Sequence, residues 1–186
     1  MAGKIILASS SPRRADILGK CNLKFEIMPS PYIEYHTTTV FSYDFIETLA
    51  YNKANAVLPL LSEPSIVIGA DTVVVLDNEI LGKPDGEKGA FEMLKKLSGK
   101  THFVVTSIVV INSETNEVKK NSTTSYVTFE ELTDEQINYY IENFKPFDKA
   151  GSYGIQEMPD GYIKSYTGDL ENIIGMSSKA LLELLK

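Results

Sequence analysis

The longest hydrophobic pattern in the chain is a run rich in β-branched residues at 65–76, and it predicts a buried strand. A two-residue polar turn, Asp77-Asn78, follows this run and predicts a hairpin with a short partner strand at 79–81. Other apolar runs of suitable length predict the remaining strands at 4–8, 23–28, 101–111, 119–130 and 162–166.

Between these strands the apolar residues have helical spacing. One helix is predicted at 44–58, with an apolar stripe made of Ile46, Leu49, Ala50, Ala54 and Val57. Further helices are predicted at 12–18, 87–97, 134–144 and 177–185, with Ser11 and Thr133 as N-caps and Gly19 as the end of the first one. The mixture of hairpins with strand–helix units predicts an α/β fold on a mixed sheet, in a single domain of residues 1–186.

Charge and composition narrow the possible partners. The chain has 186 residues, 18 Lys and Arg against 25 Asp and Glu, and a net charge of -7. A surface with this balance repels the phosphates of nucleic acid, so we expect no nucleic-acid partner. The same balance allows a small anionic substrate in a local basic cleft.

The cysteine count and the hydropathy limit the cellular compartments in which the protein is expected. Cys21 is the one cysteine in the sequence, which excludes an intrachain disulfide framework and a zinc site built from cysteines. No apolar stretch approaches the roughly 18 residues of a transmembrane helix, and the apolar run at 5–8 is too short for a signal peptide. We therefore expect a soluble, cytoplasmic protein without a membrane partner.

The first candidate for chemistry is the segment Ser9-Ser10-Ser11-Pro12-Arg13-Arg14. A strand, a small polar loop and a helix N-terminus form an anion site, because free N–H groups and the helix dipole point outward. Two arginines in the first helical turn oppose that dipole unless an anion lies nearby, and guanidinium groups suit phosphate oxygens. The alternative is a pair of solvated arginines bound to acidic neighbours.

The second candidate is Asp71, a carboxylate inside the buried-strand pattern at 65–76. Burial of a carboxylate is costly unless it is paired, hydrogen-bonded or bound to metal. Gly69 and Ala70 leave room for a ligand to approach. Asp71 is thus a candidate metal ligand or general base, the alternative being a structural carboxylate. Glu34, in an irregular segment at 32–39, is a possible second carboxylate.

Two lysines and one polar loop complete the candidates. Lys53 lies in the apolar stripe of its helix, and Lys83 precedes a proline at the end of the hairpin. Together with the two arginines they would supply four cations for a triphosphate. In the loop at 148–156, Gln156 could recognise a base edge and Tyr153 could stack or form a hydrogen bond. The lone histidines His36 and His102 are expected to be structural.

Four motifs in order resemble those of the Maf family of nucleoside triphosphate pyrophosphatases. They are Leu7–Arg14, Gly69–Val74, Gly82–Pro84 and Asp148–Gln156. The resemblance implies a twisted mixed sheet flanked by helices, in two lobes with a central cleft, akin to the inosine triphosphatases. It also implies hydrolysis of a nucleoside triphosphate to the monophosphate and pyrophosphate with Mg²⁺ or Mn²⁺, and a homodimer.

The resemblance also assigns roles to particular residues. Asp71 matches the proton acceptor of the family, and Arg13, Thr72 and Gln156 match its specificity positions. Lys53 and Lys83 match family lysines. We assign Ser9, Ser11 and Arg14 to substrate binding as well, and Asp71 with Glu34 to the metal. The Tyr-Gly-Ile-Gln form of the last motif resembles the branch that acts on dTTP and UTP.

The sequence departs from the family pattern at three places. Glu157 follows Gln156 where glycine is usual, Thr106-Ser107 replaces Thr-Gly, and Gly175-Met176-Ser177 replaces Gly-Leu-Pro. Two other functions remain open at this level: a nucleotidyltransferase and a non-catalytic nucleotide-binding protein linked to cell division. The sequence lacks the glycine-rich loop expected of a nucleotidyltransferase, and a non-catalytic nucleotide-binding protein would gain nothing from the carboxylate of Asp71.

Overall fold

The computed structural model describes residues 3–34 and 39–186, so His36 and part of the segment at 32–39 lie outside it. The strands are β1 (Lys4–Leu7), β2 (Phe25–Ile27), β3 (Ser65–Leu76), β4 (Glu79–Leu81), β5 (Thr101–Asn112), β6 (Val118–Phe129) and β7 (Ile163–Thr167). The helices are α1 (Pro12–Lys20), α2 (Tyr43–Asn55), α3 (Gly86–Leu97), α4 (Asp134–Phe144), α5 (Leu170–Ile174) and α6 (Ser178–Leu184). Single 3-10 turns occur at Leu58–Leu60 and Ala150–Ser152.

The predicted cap of α4 is confirmed, whereas α1 differs from the prediction at both of its ends. Thr133 caps α4 as predicted, because its side chain accepts a hydrogen bond from the backbone N–H of Gln136. Ser11 occupies the N-cap position of α1 without a side-chain cap. Gly19 was wrongly predicted to end this helix. It keeps an ordinary negative φ, and α1 continues to Lys20.

The sheet is mixed, as the alternation of hairpins and strand–helix units predicts. Its strand order is β2-β1-β3-β5-β6-β7, and β4 pairs with the far end of β3. Strand β1 runs parallel to β2 and β3, whereas the pairs β3–β4, β3–β5, β5–β6 and β6–β7 are antiparallel. None of the helices in the described residues is long and apolar enough to cross a membrane.

One edge of β3 is interrupted, and this interruption positions the site. Strand β1 pairs with residues 65–68 of β3, and β4 pairs with residues 74–76. Between them, in the described part of the chain, no strand pairs with residues 69–73 on this edge. Side chains alternate along a strand, so Asp71 and Thr72 project to opposite faces of the sheet at this opening.

Two hydrophobic cores flank the opening and give the molecule its two lobes. One lies around β1, α1 and α6 and includes Leu7, Leu18 and Leu181. The other lies around α3, α4 and the loop after α4, and includes Leu94, Ile137, Tyr140 and Tyr153. The predicted α/β fold, with a mixed sheet between helices and a cleft between two lobes, is confirmed.

Candidate active site

A cavity of about 710 Å³ opens at the interrupted edge of β3 and extends between the two lobes. It is lined by every residue that the sequence proposed for the site, namely Ser9, Ser11, Arg13, Arg14, Glu34, Lys53, Asp71, Thr72, Lys83 and Gln156. The four motifs, distant in sequence, therefore meet in one place.

One cluster of charged side chains in the cavity consists of a lysine and two carboxylates. Lys53 Nζ donates a hydrogen bond to Asp71 Oδ1 and lies 2.7 Å from Glu34 Oε1. The side chains of Lys53 and Asp71 are only 13% and 9% exposed. Such burial is tolerated because opposite charges are paired. This contact explains why a lysine occurs in the apolar stripe of α2.

Close packing of α2 on the sheet brings Lys53 to Asp71. Gly69 makes this approach possible, since a Cβ at that position would lie 2.3 Å from the carbonyl oxygen of Ala50 and 2.8 Å from Ala54. Glycine at 69 therefore allows the helix to rest directly on the backbone of β3.

The same cluster has the donor chemistry of a Mg²⁺ or Mn²⁺ site. A cation, the ammonium of Lys53, already contacts one oxygen of Asp71 and one of Glu34. Mg²⁺ is usually held by one or two carboxylates together with water and substrate phosphates. In residues 3–34 and 39–186 no group of three or more His, Cys, Asp or Glu could hold a metal. The two carboxylates thus fit a metal that shares its ligands with a phosphate-bearing substrate.

The two adjacent arginines of α1 have different environments. Arg14 donates from Nε to the carbonyl of Gly175 at 3.1 Å, from Nη1 to Ser9 Oγ at 3.3 Å and from Nη2 to Thr72 Oγ1 at 3.1 Å. Burial lowers the pKa of the Arg14 guanidinium, although the nearby carboxylate of Asp71 opposes this shift. Arg14 is therefore fixed in the wall of the cavity by neutral partners.

Arg13 instead begins a row of alternating charges across the cavity. Its Nη1 lies 3.1 Å from Asp148 Oδ2, and Lys149 Nζ lies 2.9 Å from Asp148 Oδ1 and 3.2 Å from Glu157 Oε2. Partial burial alone would raise the pKa of Asp148, but hydrogen bonds from Lys149 and Arg13 lower it below its ordinary value. Asp148 and Lys149 were missed as site residues by the sequence reasoning, although both belong to the fourth motif.

The opposite part of the cavity is largely apolar. Val74, Val104, Ile155 and Ile173 line it, and Tyr153 packs edge-on against Phe129 with ring centroids 4.9 Å apart. Gln156 lies exposed at its border, and Lys83 is exposed at the rim. The cavity thus combines a charged part with an apolar part, which suits a nucleotide.

Two hydrogen bonds hold the loop that carries Tyr153 and Gln156 in place. His102 Nε2 and the hydroxyl of Tyr153 are 2.7 Å apart, and burial lowers the pKa of His102 to about 4. The N–H of Gly151 donates to the carbonyl of Gly82 at 3.0 Å, which ties this loop to the segment of Lys83. The buried position of His102 agrees with the structural role predicted for it.

The fold and the cavity define an α/β protein with a cleft lined by both charged and apolar residues. The chain belongs to the Maf family, because the family model described as Maf-like protein matches residues 4–186. The family predicted from the four motifs is confirmed, and relatives described as pyrophosphatases confirm the predicted enzyme class.

Two curated relatives of nearly the same length carry the same description. A "dTTP/UTP pyrophosphatase" of Clostridium perfringens (strain 13 / Type A) is 41% identical over 186 residues, covering 98% of this chain and 96% of the relative. One from Bacillus cereus is 43% identical over 187 residues, covering 98% and 94%. A solved "Nucleoside-triphosphatase / dITP/XTP pyrophosphatase" from Mycobacterium abscessus is more distant, with a TM-score of 0.47, 16% identity and coverage of 69% of this chain and 75% of that chain.

Proposed function

We propose that the protein hydrolyses dTTP and UTP to the nucleoside monophosphate and pyrophosphate. The observation that carries this proposal is the buried carboxylate of Asp71, held by Lys53 in the same cavity as the loop at 9–14. The descriptions of the relatives and the Tyr-Gly-Ile-Gln sequence at 153–156 support the choice of bases.

In this proposal the reaction is the attack of water on the α-phosphorus, with pyrophosphate as the leaving group. Asp71 orients that water and accepts its proton, or holds the metal beside it. Lys53 fixes the carboxylate by the hydrogen bond to Oδ1, so the acceptor oxygen is in place before the substrate arrives.

The phosphates are bound by the start of α1 and by the cations around it. Free backbone N–H groups at a helix N-terminus, next to the hydroxyls of Ser9 and Ser11, suit phosphate oxygens. Arg13 and Lys83 neutralise charge that develops on the leaving pyrophosphate. Arg13 reaches the substrate by exchanging its partner Asp148 for a phosphate.

Asp71 and Glu34 are the residues that would hold Mg²⁺ or Mn²⁺, together with phosphate oxygens. When bound, the metal supplies charge neutralisation on the phosphates and polarises the phosphoryl oxygens. Lys53 occupies the space between the same two carboxylates and balances part of their charge.

Two further parts of the proposal concern the context of the enzyme. A cytoplasmic location belongs to it because nucleoside triphosphates are made and used there. The homodimer implied by the family resemblance stays a prediction, which sedimentation equilibrium would test.

The experiment is pyrophosphate release with Mg²⁺ or Mn²⁺ on a panel of triphosphates, comparing the wild type with Asp71→Asn. We expect turnover of dTTP and UTP, with kcat reduced by roughly 100- to 10,000-fold in Asp71→Asn. Asp77→Asn is the matched control, because Asp77 lies in the exposed hairpin turn after β3 with a φ of 50° that asparagine also adopts. Full turnover by Asp71→Asn would contradict the role of Asp71. Binding of the metal–nucleotide complex without any turnover would support the non-catalytic alternative.

A further inference from the structure

The hydroxyl of Thr72 has three hydrogen-bond partners but only one proton to donate. Thr72 Oγ1 accepts from Arg14 Nη2 at 3.1 Å, and it lies 2.9 Å from Thr106 Oγ1 and 3.3 Å from the carbonyl oxygen of Gly175. A guanidinium can only donate and a carbonyl can only accept, whereas a threonine hydroxyl has one proton and two lone pairs. The direction of the bond to Thr106 therefore decides what Thr72 can offer a ligand.

That direction is fixed by Asn172 in α5. Thr106 Oγ1 donates to the backbone carbonyl of Asn172 at 2.9 Å, and Asn172 is fully buried. In the described parts of the chain this is the one hydrogen bond recorded to that carbonyl oxygen. A buried carbonyl without a donor is costly, so the proton of Thr106 is committed to Asn172. Thr106 Oγ1 can then only accept from Thr72, so the proton of Thr72 has two acceptors inside the protein, Thr106 Oγ1 and the carbonyl of Gly175.

The side chain of Asn172 holds this arrangement in place. Its Oδ1 accepts from the backbone N–H of Thr106 at 3.0 Å, and its Nδ2 donates to the carbonyl of Val104 at 3.0 Å and to Ser125 Oγ at 2.9 Å. Helix α5 has only five residues, so its position depends on this amide, which pins it to β5.

We propose that Thr106 and Asn172 are positioning residues that make Thr72 an obligate hydrogen-bond acceptor, and that this acceptor selects bases carrying an N–H at position 3. The proton of Thr72 is used inside the protein, by Thr106 or by the carbonyl of Gly175. One lone pair of Thr72 is used by Arg14, and the other is available to a ligand in the cavity that Thr72 lines.

The consequence for base selection follows from elementary base chemistry. Thymine and uracil carry a proton on N3, which can donate to Thr72. Neutral cytosine has a lone pair on N3, which would oppose the lone pair of Thr72. A wrong base would leave a polar group of the site without a hydrogen-bond partner, and the site therefore discriminates strongly against that base. The inference rests on the proposed function, and it adds two positioning residues, Thr106 and Asn172, and a fixed hydrogen-bond direction at Thr72 that the function alone does not require.

The test measures kcat/KM for UTP, CTP and N3-methyl-UTP in the wild type, Thr72→Val, Thr106→Val and Thr106→Ser. We expect Thr72→Val to lower the UTP/CTP ratio about tenfold or more and to bring N3-methyl-UTP closer to UTP. Thr106→Val should also lower the ratio, because only the longer contact to the carbonyl of Gly175, at 3.3 Å, then competes with N3 of cytosine for the proton of Thr72. Thr106→Ser keeps the hydroxyl and should restore the wild-type ratio.

The possible failures are distinguishable. A merely structural role of Thr106 would lower the melting temperature and the activity on both substrates equally, leaving the ratio unchanged, and this result would overturn the inference. An unchanged UTP/CTP ratio in Thr72→Val would also overturn the inference. Turnover of UTP by the wild type would in that case still support the proposed function. If Thr106→Val does not fold, Thr72→Val with N3-methyl-UTP decides the question. Absence of turnover of every triphosphate by the wild type would overturn both.

Discussion

Asp71 and Thr72 are neighbours in β3, yet they contact opposite layers of the molecule and still line one cavity. Asp71 accepts from Lys53 of α2 on one face of the sheet, and Thr72 accepts from Arg14 of α1 on the other. Both reach the cavity because no strand in residues 3–34 and 39–186 pairs with this edge of β3 between the segments paired with β1 and β4. The open edge thus gives one ligand access to both faces of the sheet.

Lys53→Met should tighten the binding of Mn²⁺ to the enzyme without nucleotide, by about tenfold, while lowering kcat. The reason is that the ammonium of Lys53 competes with a metal for Asp71 and Glu34, and a nearby like charge in a partly buried site has an effect of this size. Free Mn²⁺ measured by electron paramagnetic resonance would report the change. Lys120→Met is the control, since it removes an exposed ammonium bound to Glu47. Unchanged or weaker Mn²⁺ binding would count against a metal at these carboxylates.

Asp148→Asn should lower KM for the triphosphate by about two- to fivefold with little change in kcat. Asp148 competes with the substrate phosphates for Arg13, and an ion pair whose carboxylate is 60% exposed contributes no more than about 1 kcal/mol. The difference from the wild type should shrink at high salt, because exposed charges are screened. Steady-state kinetics at low and high ionic strength tests this, with Asp160→Asn, an exposed aspartate, as the control. A rise in KM would show that Asp148 serves the substrate instead of competing with it.

Gly69→Ala should destabilise the fold by about 2 kcal/mol or more and lower kcat. The added Cβ would lie 2.3 Å from the carbonyl oxygen of Ala50, so α2 must move away from β3 and carry Lys53 away from Asp71. Urea unfolding and pyrophosphate release measure the two effects. Gly19→Ala is the matched control, because a Cβ there meets nothing within 4 Å. Equal stability of the two variants would be inconsistent with the close contact of α2.

The wild type should lose stability below pH 6.5 in a way that His102→Phe does not. Burial lowers the pKa of His102 in the folded state to about 4, so the unfolded state binds a proton first as the pH falls. The stability that the neutral imidazole contributes is complete above about pH 6.5 and declines as the pH approaches 4, by about 3 kcal/mol in total. Urea titrations between pH 7 and 4 would measure the difference between the two proteins. Parallel pH profiles would exclude His102 as the source.

The long strands could be predicted because their hydrophobic patterns are continuous. The bounds of β3 and β4 agree with the sequence pattern, since the β-branched run ends at the Asp77-Asn78 turn. Helix α5 was not predicted, because five residues carry too little helical periodicity. Its position depends on the tertiary hydrogen bonds of Asn172, which no local pattern reveals.

Most members of the site could be predicted, but their pairing could not. Eight of the ten predicted residues lie in the four motifs, and Glu34 and Lys53 were identified outside them, but nothing in the sequence indicated different contacts for Arg13 and Arg14. Consecutive residues on a helix are about 100° apart, so one arginine faces Asp148 and the other faces Thr72. Thr106 was noticed only as part of a departure from the family pattern, because its importance depends on a hydrogen-bond partner in α5.

The open edge of β3 has a consequence for the size of the substrates. With the roles proposed for Asp71 and Thr72, the group beside the α-phosphorus and the group beside the base are separated by one peptide unit, about 3.8 Å between Cα atoms. Strand β3 is paired with β5 along its other edge from Ile66 to Val75, and this pairing keeps the strand extended with the two side chains on opposite faces. The strand therefore selects for the distance between base and α-phosphorus. A nucleotide with a longer or shorter link between them would contact Asp71 or Thr72 but not both.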